Sequence, residues 1–377
     1  MNIIITPPEK LLKLAMNIRT NNGKLYIVGG SIRDAILGYE PKDWDAEIHG
    51  IPIDKLIDIL QNYKATDQVG RAKGVWKIFD TSSTPRIEYD ISLPLQKNGE
   101  LFQDLHLALL SRDLTINALA YDPLDKIIID PSGGNEDLAL KILRTPNIQN
   151  IYDDPLRSFR VCQFASRLGF DVDPTLKETI LSLPQDLLTS IAGERIFEEF
   201  KKIIFRSKDP SIGLFWLSEL QLTQRICTDF SFDFANAIEG VQRLFTTIPD
   251  IPYLEEWRTN LESYEILTLV FSILLYNYNE ENKMIFLQRL HLHSFEGFDV
   301  RSFILRHAYP EKISPLVKYL DDVPLRRLSN KEGTRLTLLL CYCTEGTIDI
   351  KYIERSIEMN IAQQPLPSLL SGGDFQK

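Results

Sequence analysis

The periodicity of the chain changes near residue 130, and this constrains the fold of its 377 residues more than any other feature. Before it lie short β-rich runs, LYIVGG, WDAEI, VWKIFD and RIEYDISL, separated by helical stretches such as Ser31–Leu37 and Ile53–Leu60. That mixture of two-residue and three-to-four-residue spacing predicts an α/β region. After it, DPLRSFRVCQFASRLGF, ERIFEEFKKIIF and IGLFWLSEL all carry apolar residues at helical spacing. The turn cluster Asp130-Pro131-Ser132-Gly133-Gly134 marks the change. The expected organisation is an N-terminal α/β domain over 1–130, a helical region over 131–250 and a second helical region over 251–377. The longest apolar run, ILTLVFSILLYNY, is short enough to be a core helix, so no membrane span is expected.

The first chemical feature is a strand candidate, Lys24–Val28, that runs through Gly29-Gly30-Ser31 into the helix IRDAILG. A glycine turn at a helix start leaves several backbone N–H groups free at one point, which suits phosphate. It is not GxGxxG and so does not support a dinucleotide fold. Thirteen residues beyond Gly30, Asp43-Trp44-Asp45 places two carboxylates on one face of a strand, where they repel unless a hard cation such as Mg²⁺ sits between them. Asp90 offers a third carboxylate from a later strand. Together these parts match the needs of two-metal phosphoryl transfer, with Arg33 and Arg112 as triphosphate ligands. Taken singly, each also reads as an ordinary turn or a solvated strand edge.

Four segments then carry a resemblance. Gly29-Gly30-Ser31-Ile32-Arg33-Asp34-Ala35-Ile36-Leu37-Gly38, Lys42-Asp43-Trp44-Asp45, Arg112-Asp113-Leu114-Thr115-Ile116-Asn117-Ala118-Leu119-Ala120-Tyr121-Asp122, and Asp153-Asp154-Pro155-Leu156-Arg157 running to Arg167-Leu168-Gly169-Phe170 resemble, in order and spacing, the motifs of the class II tRNA nucleotidyltransferase and poly(A) polymerase family. The resemblance covers about residues 24–205. It implies an α+β protein: a polymerase-β-type nucleotidyltransferase head with a mixed sheet, followed by all-helical neck, body and tail domains. It also implies untemplated addition of C and A to the 3′ end of tRNA from CTP and ATP. By motif position, Asp43 and Asp45 would hold Mg²⁺, with Asp90 as third carboxylate. Gly29, Gly30, Ser31, Arg33, Arg112, Asp113 and Asn117 would hold the triphosphate and sugar, and Asp154, Arg157 and Arg160 would form the base pocket.

The choice of base also follows from side-chain chemistry. C and A each show an exocyclic amine beside an unprotonated ring nitrogen, whereas U and G show a carbonyl beside N–H. If Asp154 and Arg157 lie three apart on a helix, they present an acceptor beside donors, so the pair admits C and A and rejects U and G. An ordinary surface ion pair is the plainer alternative. The cluster Lys201, Lys202, Arg206 and Lys208 is a candidate RNA contact, with a solvated helix face as its alternative.

Three positions depart from the family pattern: Ser111 and Gln163 where arginine is usual, and Leu95 after the S-L-P strand. The 95–111 stretch is also short. A CC-adding or A-adding specialist, a poly(A) polymerase and a catalytically degenerate RNA-binding protein therefore stand as alternatives to full CCA addition. No His-Asp pair is present, so no phosphohydrolase domain is expected, and His291, His293 and His307 read as solvated or core histidines.

Cys162, Cys227, Cys341 and Cys343 have neither the number nor the spacing of a disulfide framework or zinc site, which points to a cytoplasmic protein. The net charge of −10 argues against indiscriminate polyanion binding and against DNA as partner, while leaving room for tRNA held by shape and a few cations.

Overall fold

The structure is a computed structural model that describes residues 5–41, 43–63, 75–80, 87–94, 99–102, 104–248, 251–328 and 334–361. Lys42 and Leu95 lie outside those residues. The chain forms two compact units, one of residues 1–157 with 170–180 and one of residues 158–169 with 181–377.

The first unit is built on a six-stranded sheet: β1 (Lys24–Val28), β2 (Asp43–His49), β3 (Val75–Asp80), β4 (Ile87–Ser92), β5 (Ala120–Asp122) and β6 (Ile127–Ile129). The strand order is β3-β4-β2-β1-β5-β6. Only the β2–β4 pair is parallel, so the sheet is mixed. All four β-rich runs of the sequence appear as β1 to β4, and the β5–β6 hairpin is an addition. The helices are α1 (Glu9–Thr20), α2 (Gly30–Ile36), α3 (Ile53–Gln61), α4 (Leu105–Leu110), α5 (Gly134–Leu140), α6 (Gln149–Asp153) and α7 (Leu156–Leu168), the last of which runs into the second unit.

Alternation along the strands separates two faces. Leu25, Ile27, Trp44, Ala46, Ile48, Trp76, Ile78, Tyr89 and Ile91 are all buried and share one face. Eight large apolar side chains and Ala46 there supply the driving force for the layer. The opposite face of β2 and β4 carries Asp43, Asp45, Glu47, Glu88 and Asp90. Towards β1 and β5 the same side turns apolar, where Tyr26, Val28 and Ala120 cluster with Leu109 and Ala118. The sheet thus offers one greasy face for the core and one acidic face for chemistry.

The second unit is built of helices joined by loops, with one isolated antiparallel bridge between Phe295 and Phe298 among its described residues. The helix Ser263–Leu274 is buried along most of its length, as expected of a core helix. Phe200, Phe232, Phe234 and Phe271 pack around Phe286 with centroids 4.8–6.4 Å apart. At the start of the helix Gly193–Arg206, a Cβ on Gly193 would stand 1.9 Å from the Arg289 carbonyl oxygen, so only glycine permits that approach. No helix of the described residues is long and apolar enough to cross a membrane. In the basic cluster, Lys201 pairs with Glu198 at 2.6 Å and Lys202 with Glu199 at 2.7 Å, so two of its four cations are partly neutralised. His291 stands 3.2 Å from Glu194, His293 meets Arg301, and His307 is buried, which pushes its pKa down to about 4.

Lys283 is fully buried, donates to the Ala308 carbonyl and lies 3.2 Å from the Tyr309 ring centre. Burial pushes its pKa down from 10.5 to about 7. Below that value folded and unfolded chains both carry the charge, and the folded state bears the full cost of burying it. Between about 7 and 10.5 the unfolded chain binds more protons, so stability rises with pH over that window. Lys283→Met, which keeps the apolar stem, should flatten this rise. Thermal unfolding of both proteins between pH 6 and 10 tests it, and an unchanged slope would contradict the assignment.

Candidate active site

The site begins at the turn between β1 and α2. Gly29 has φ +65°, a left-handed conformation that disfavours any side chain, and its N–H bonds the Leu119 carbonyl. A Cβ there would also stand 2.9 Å from Arg112 Nη1. Ser31 then joins this turn to the acids. Its hydroxyl accepts from the Asp45 N–H at 2.9 Å and donates to the Asp43 carbonyl at 3.2 Å. Ser31 thereby ties the glycine turn to the D-x-D strand.

Asp43 and Asp45 share the acidic face of β2, and the parallel register sets Asp45 opposite Asp90 and Asp43 opposite Glu88. Crowding of like charges shows in Asp45. Burial, then the Asp90 charge, push its carboxyl up to about 6, with Asp43 adding to them, while Arg112 and Arg33 oppose. Asp90 is ion-paired with Lys77, whose Nζ lies 3.1 Å from Oδ1 and donates to Oδ2 at 3.5 Å; among the described residues the buried Oδ1 accepts no hydrogen bond of its own. Lys77 also pairs with Glu88. The acids of this face are oxygen donors of the kind a hard divalent cation takes, although among the described residues no three of them are already gathered as a metal site.

The arginines come from two directions. Arg33 is buried, binds Asp34 at 2.7 Å and donates to Asn117 Oδ1 at 2.5 Å. Asn117 donates in turn to Asp113 Oδ1 at 3.1 Å, and Asp113 also accepts from Leu114 N–H. Asp113 is thus buried behind Asn117 and holds its amide. The segment is pinned by Thr115, which donates to buried Asp137 at 2.6 Å, and Gly134 allows its close approach, since a Cβ there would lie 2.1 Å from Thr115 O. Arg112 donates from Nη2 to Glu47 Oε2 at 3.0 Å.

Asn150 on α6 donates to the carbonyls of Leu110 and Arg112 at 2.8 and 2.9 Å, and Arg157 Nη1 donates to the Ser111 carbonyl at 2.8 Å. Ser111 ends α4, and its hydroxyl binds Ala108 O at 2.7 Å. Asp154 is not on a helix with Arg157, contrary to the three-apart argument. It sits between α6 and α7 with φ −140°, because the following Pro155 disfavours helical backbone there. The two residues stay neighbours through the Arg157 N–H to Asp154 carbonyl bond of 2.9 Å. Arg160 lies in the second unit, one turn further along α7, 5.8 Å from the Phe164 ring centre. Gln163 is buried in that unit.

Sequence reasoning missed Glu47, Glu88, Lys77 and Asn150. Glu47 was open to discovery, since it continues the two-residue alternation of Asp43 and Asp45. Glu88 stands in the same relation to Asp90.

The fold and site together define a nucleotidyltransferase-type head joined to helical domains. A profile described as poly A polymerase head domain matches residues 25–144, and one described as "Probable RNA and SrmB- binding site of polymerase A" matches residues 169–231. The CCA-adding enzyme of Geobacillus sp. (strain WCH70) is 30% identical over 301 residues, 67% of this chain and 73% of that protein. The multifunctional CCA protein of Hahella chejuensis is 33% identical over 244 residues, 60% of this chain and 53% of its own. Other similar proteins are named CC-adding and A-adding tRNA nucleotidyltransferases. A solved CCA-adding enzyme in complex with ATP superposes with TM-score 0.74 at 20% identity, covering 98% of this chain and 88% of the other, a likeness of fold. The chain belongs to the tRNA nucleotidyltransferase and poly(A) polymerase family. It spans about half the length of several of the curated relatives it matches. Enzymes of this family are generally metal-dependent nucleotidyltransferases.

Proposed function

We propose that the protein adds C and A to the 3′ end of tRNA without a template, using CTP and ATP and releasing pyrophosphate. The observation that carries this reading is the Ser31 clasp, which sets the glycine turn against Asp43 and Asp45 with Asp90 in register beside them. In the reaction the terminal tRNA 3′-oxygen bonds to the α-phosphorus while the bond to the pyrophosphate oxygen breaks. Asp43, Asp45 and Asp90 would hold Mg²⁺, which when bound supplies charge neutralisation for the attacking and leaving oxygens. The N–H groups at the start of α2 and the Arg112 guanidinium bind the triphosphate, with Arg33 and Asn117 completing the cradle and Asp113 fixing the Asn117 amide. Asp154 and Arg157 read the Watson–Crick edge of the incoming base.

In functional terms the head is residues 1–130, the neck and body 131–250 and the tail 251–377, with the RNA lying along the helical part. The site of action is the cytoplasm, and neither DNA nor a membrane is a partner. A specialist adding only CC or only A is the second reading, favoured by the Ser111 departure, where the hydroxyl caps α4 in place of the usual arginine.

The deciding experiment incubates a tRNA that ends before its terminal CCA with each labelled nucleotide singly and in pairs, and reads product length. The expected pattern is two-nucleotide extension with CTP, a third with ATP added, and none with UTP or GTP. Extension that stops after CC, or that needs a CC end first, identifies the specialist. No extension in any mixture overturns the reading.

A further inference from the structure

The acidic face of β2 does not end at Asp45. Glu47 follows two residues on, is 7% exposed, and has both carboxylate oxygens engaged: Oε2 accepts from Arg112 Nη2 at 3.0 Å and Oε1 meets His49 Nε2 at 2.8 Å. His49 is itself held edge-on against Tyr26, with ring centres 5.6 Å apart. Glu47 is thus a rigid anchor. The other terminal nitrogen of Arg112, Nη1, reaches the glycine turn, 2.9 Å from the place a Gly29 Cβ would occupy. One guanidinium therefore spans from the strand carboxylate to the turn.

We propose that Glu47 is the positioning residue that aims Arg112 at the incoming nucleotide's phosphates and keeps it from collapsing onto Asp45. The inference rests on the proposed triphosphate role of Arg112. Asp45 and Glu47 are two apart on one strand face, so both compete for the same cation. A carboxylate held by His49 on one oxygen directs Arg112 through a charge-assisted hydrogen bond on the other, roughly twice as strong as a bond to a neutral amide. Without that bond the long arginine side chain regains its rotamers and is drawn towards Asp45, whose charge it already attracts. Phosphate binding then loses a preorganised donor, and Asp45 gains a competing partner.

The test is direct binding of CTP and ATP to the full chain, alongside steady-state kinetics with tRNA. Glu47→Gln should weaken nucleotide binding about tenfold, the scale of one charge-assisted hydrogen bond, with the loss in KM exceeding that in kcat. Glu47→Asp should recover part of it. In an Arg112→Ala background, Glu47→Gln should have almost no further effect, because the residue acts only through Arg112. Thermal unfolding of each variant monitors folding. Unchanged nucleotide binding in folded Glu47→Gln, or a full effect persisting in the Arg112→Ala background, overturns this role alone. Absence of any triphosphate binding by the wild-type chain overturns it together with the function it rests on.

Discussion

Asp45→Ala should cut nucleotide incorporation into truncated tRNA by about a thousandfold or more, while the protein stays folded. The size follows from several kcal/mol of transition-state charge stabilisation that carboxylate-held cations supply, at about 1.4 kcal/mol per tenfold. Folding should survive, since the ionised Asp45 carboxyl is a strained group: burial together with Asp90 and Asp43 raises it to about 6. Its backbone N–H bond to Ser31, which holds the turn in place, does not depend on the side chain. The same crowding gives a pH signature in the wild type. A proton on Asp45 competes with the cation, so at limiting Mg²⁺ the rate should rise with pH through about 6. Raising Mg²⁺ should move that midpoint downward, and a chelator should abolish activity. Near-normal incorporation by Asp45→Ala would remove the carboxylate pair from the chemistry.

Asp154→Ala should change which nucleotides are used more than how fast the correct ones react. A site that hydrogen-bonds a substrate edge rejects a mismatched edge because buried groups are left unpaired, and removing the acceptor removes that penalty. Use of UTP and GTP relative to CTP and ATP should therefore rise about ten- to a hundredfold. The backbone of Asp154 ties α6 to α7, bonding Asn150 O and Arg157 N, and alanine preserves both bonds. Arg157 keeps its bond to the Ser111 carbonyl as well. The readout is kcat/KM for all four nucleotides on one tRNA. Equal proportional losses for all four would show that Asp154 has only a structural role.

How far the sequence alone reached can be judged from particular residues. The strands β2 and β4 are legible because they alternate apolar and polar side chains, and β1 and β3 because they are short runs rich in β-formers, local patterns that need no partner. The glycine turn, the D-x-D pair and the later helices were legible for the same reason. The hairpin β5–β6 was not: at three residues per strand there is too little alternation to read. Asp154 was misplaced onto a helix because residue spacing alone ignored the backbone restriction set by Pro155.

The chain's own order of residues determined the kind of layer it forms and the chemical groups at its disposal, since period and side-chain type are local properties. Tertiary structure alone decided which of those groups meet. Asp90 comes beside Asp45 only through the parallel register of β2 and β4, whose partners are 45 residues apart and whose one-residue slip would turn every carboxylate to the apolar face. Lys77 reaches Asp90, Arg112 reaches Glu47 and Asn150 grips residues 110–112 across separations that no spacing rule encodes. Such contacts are settled by burial of the opposite face of the sheet, which leaves the acids a single direction in which to point.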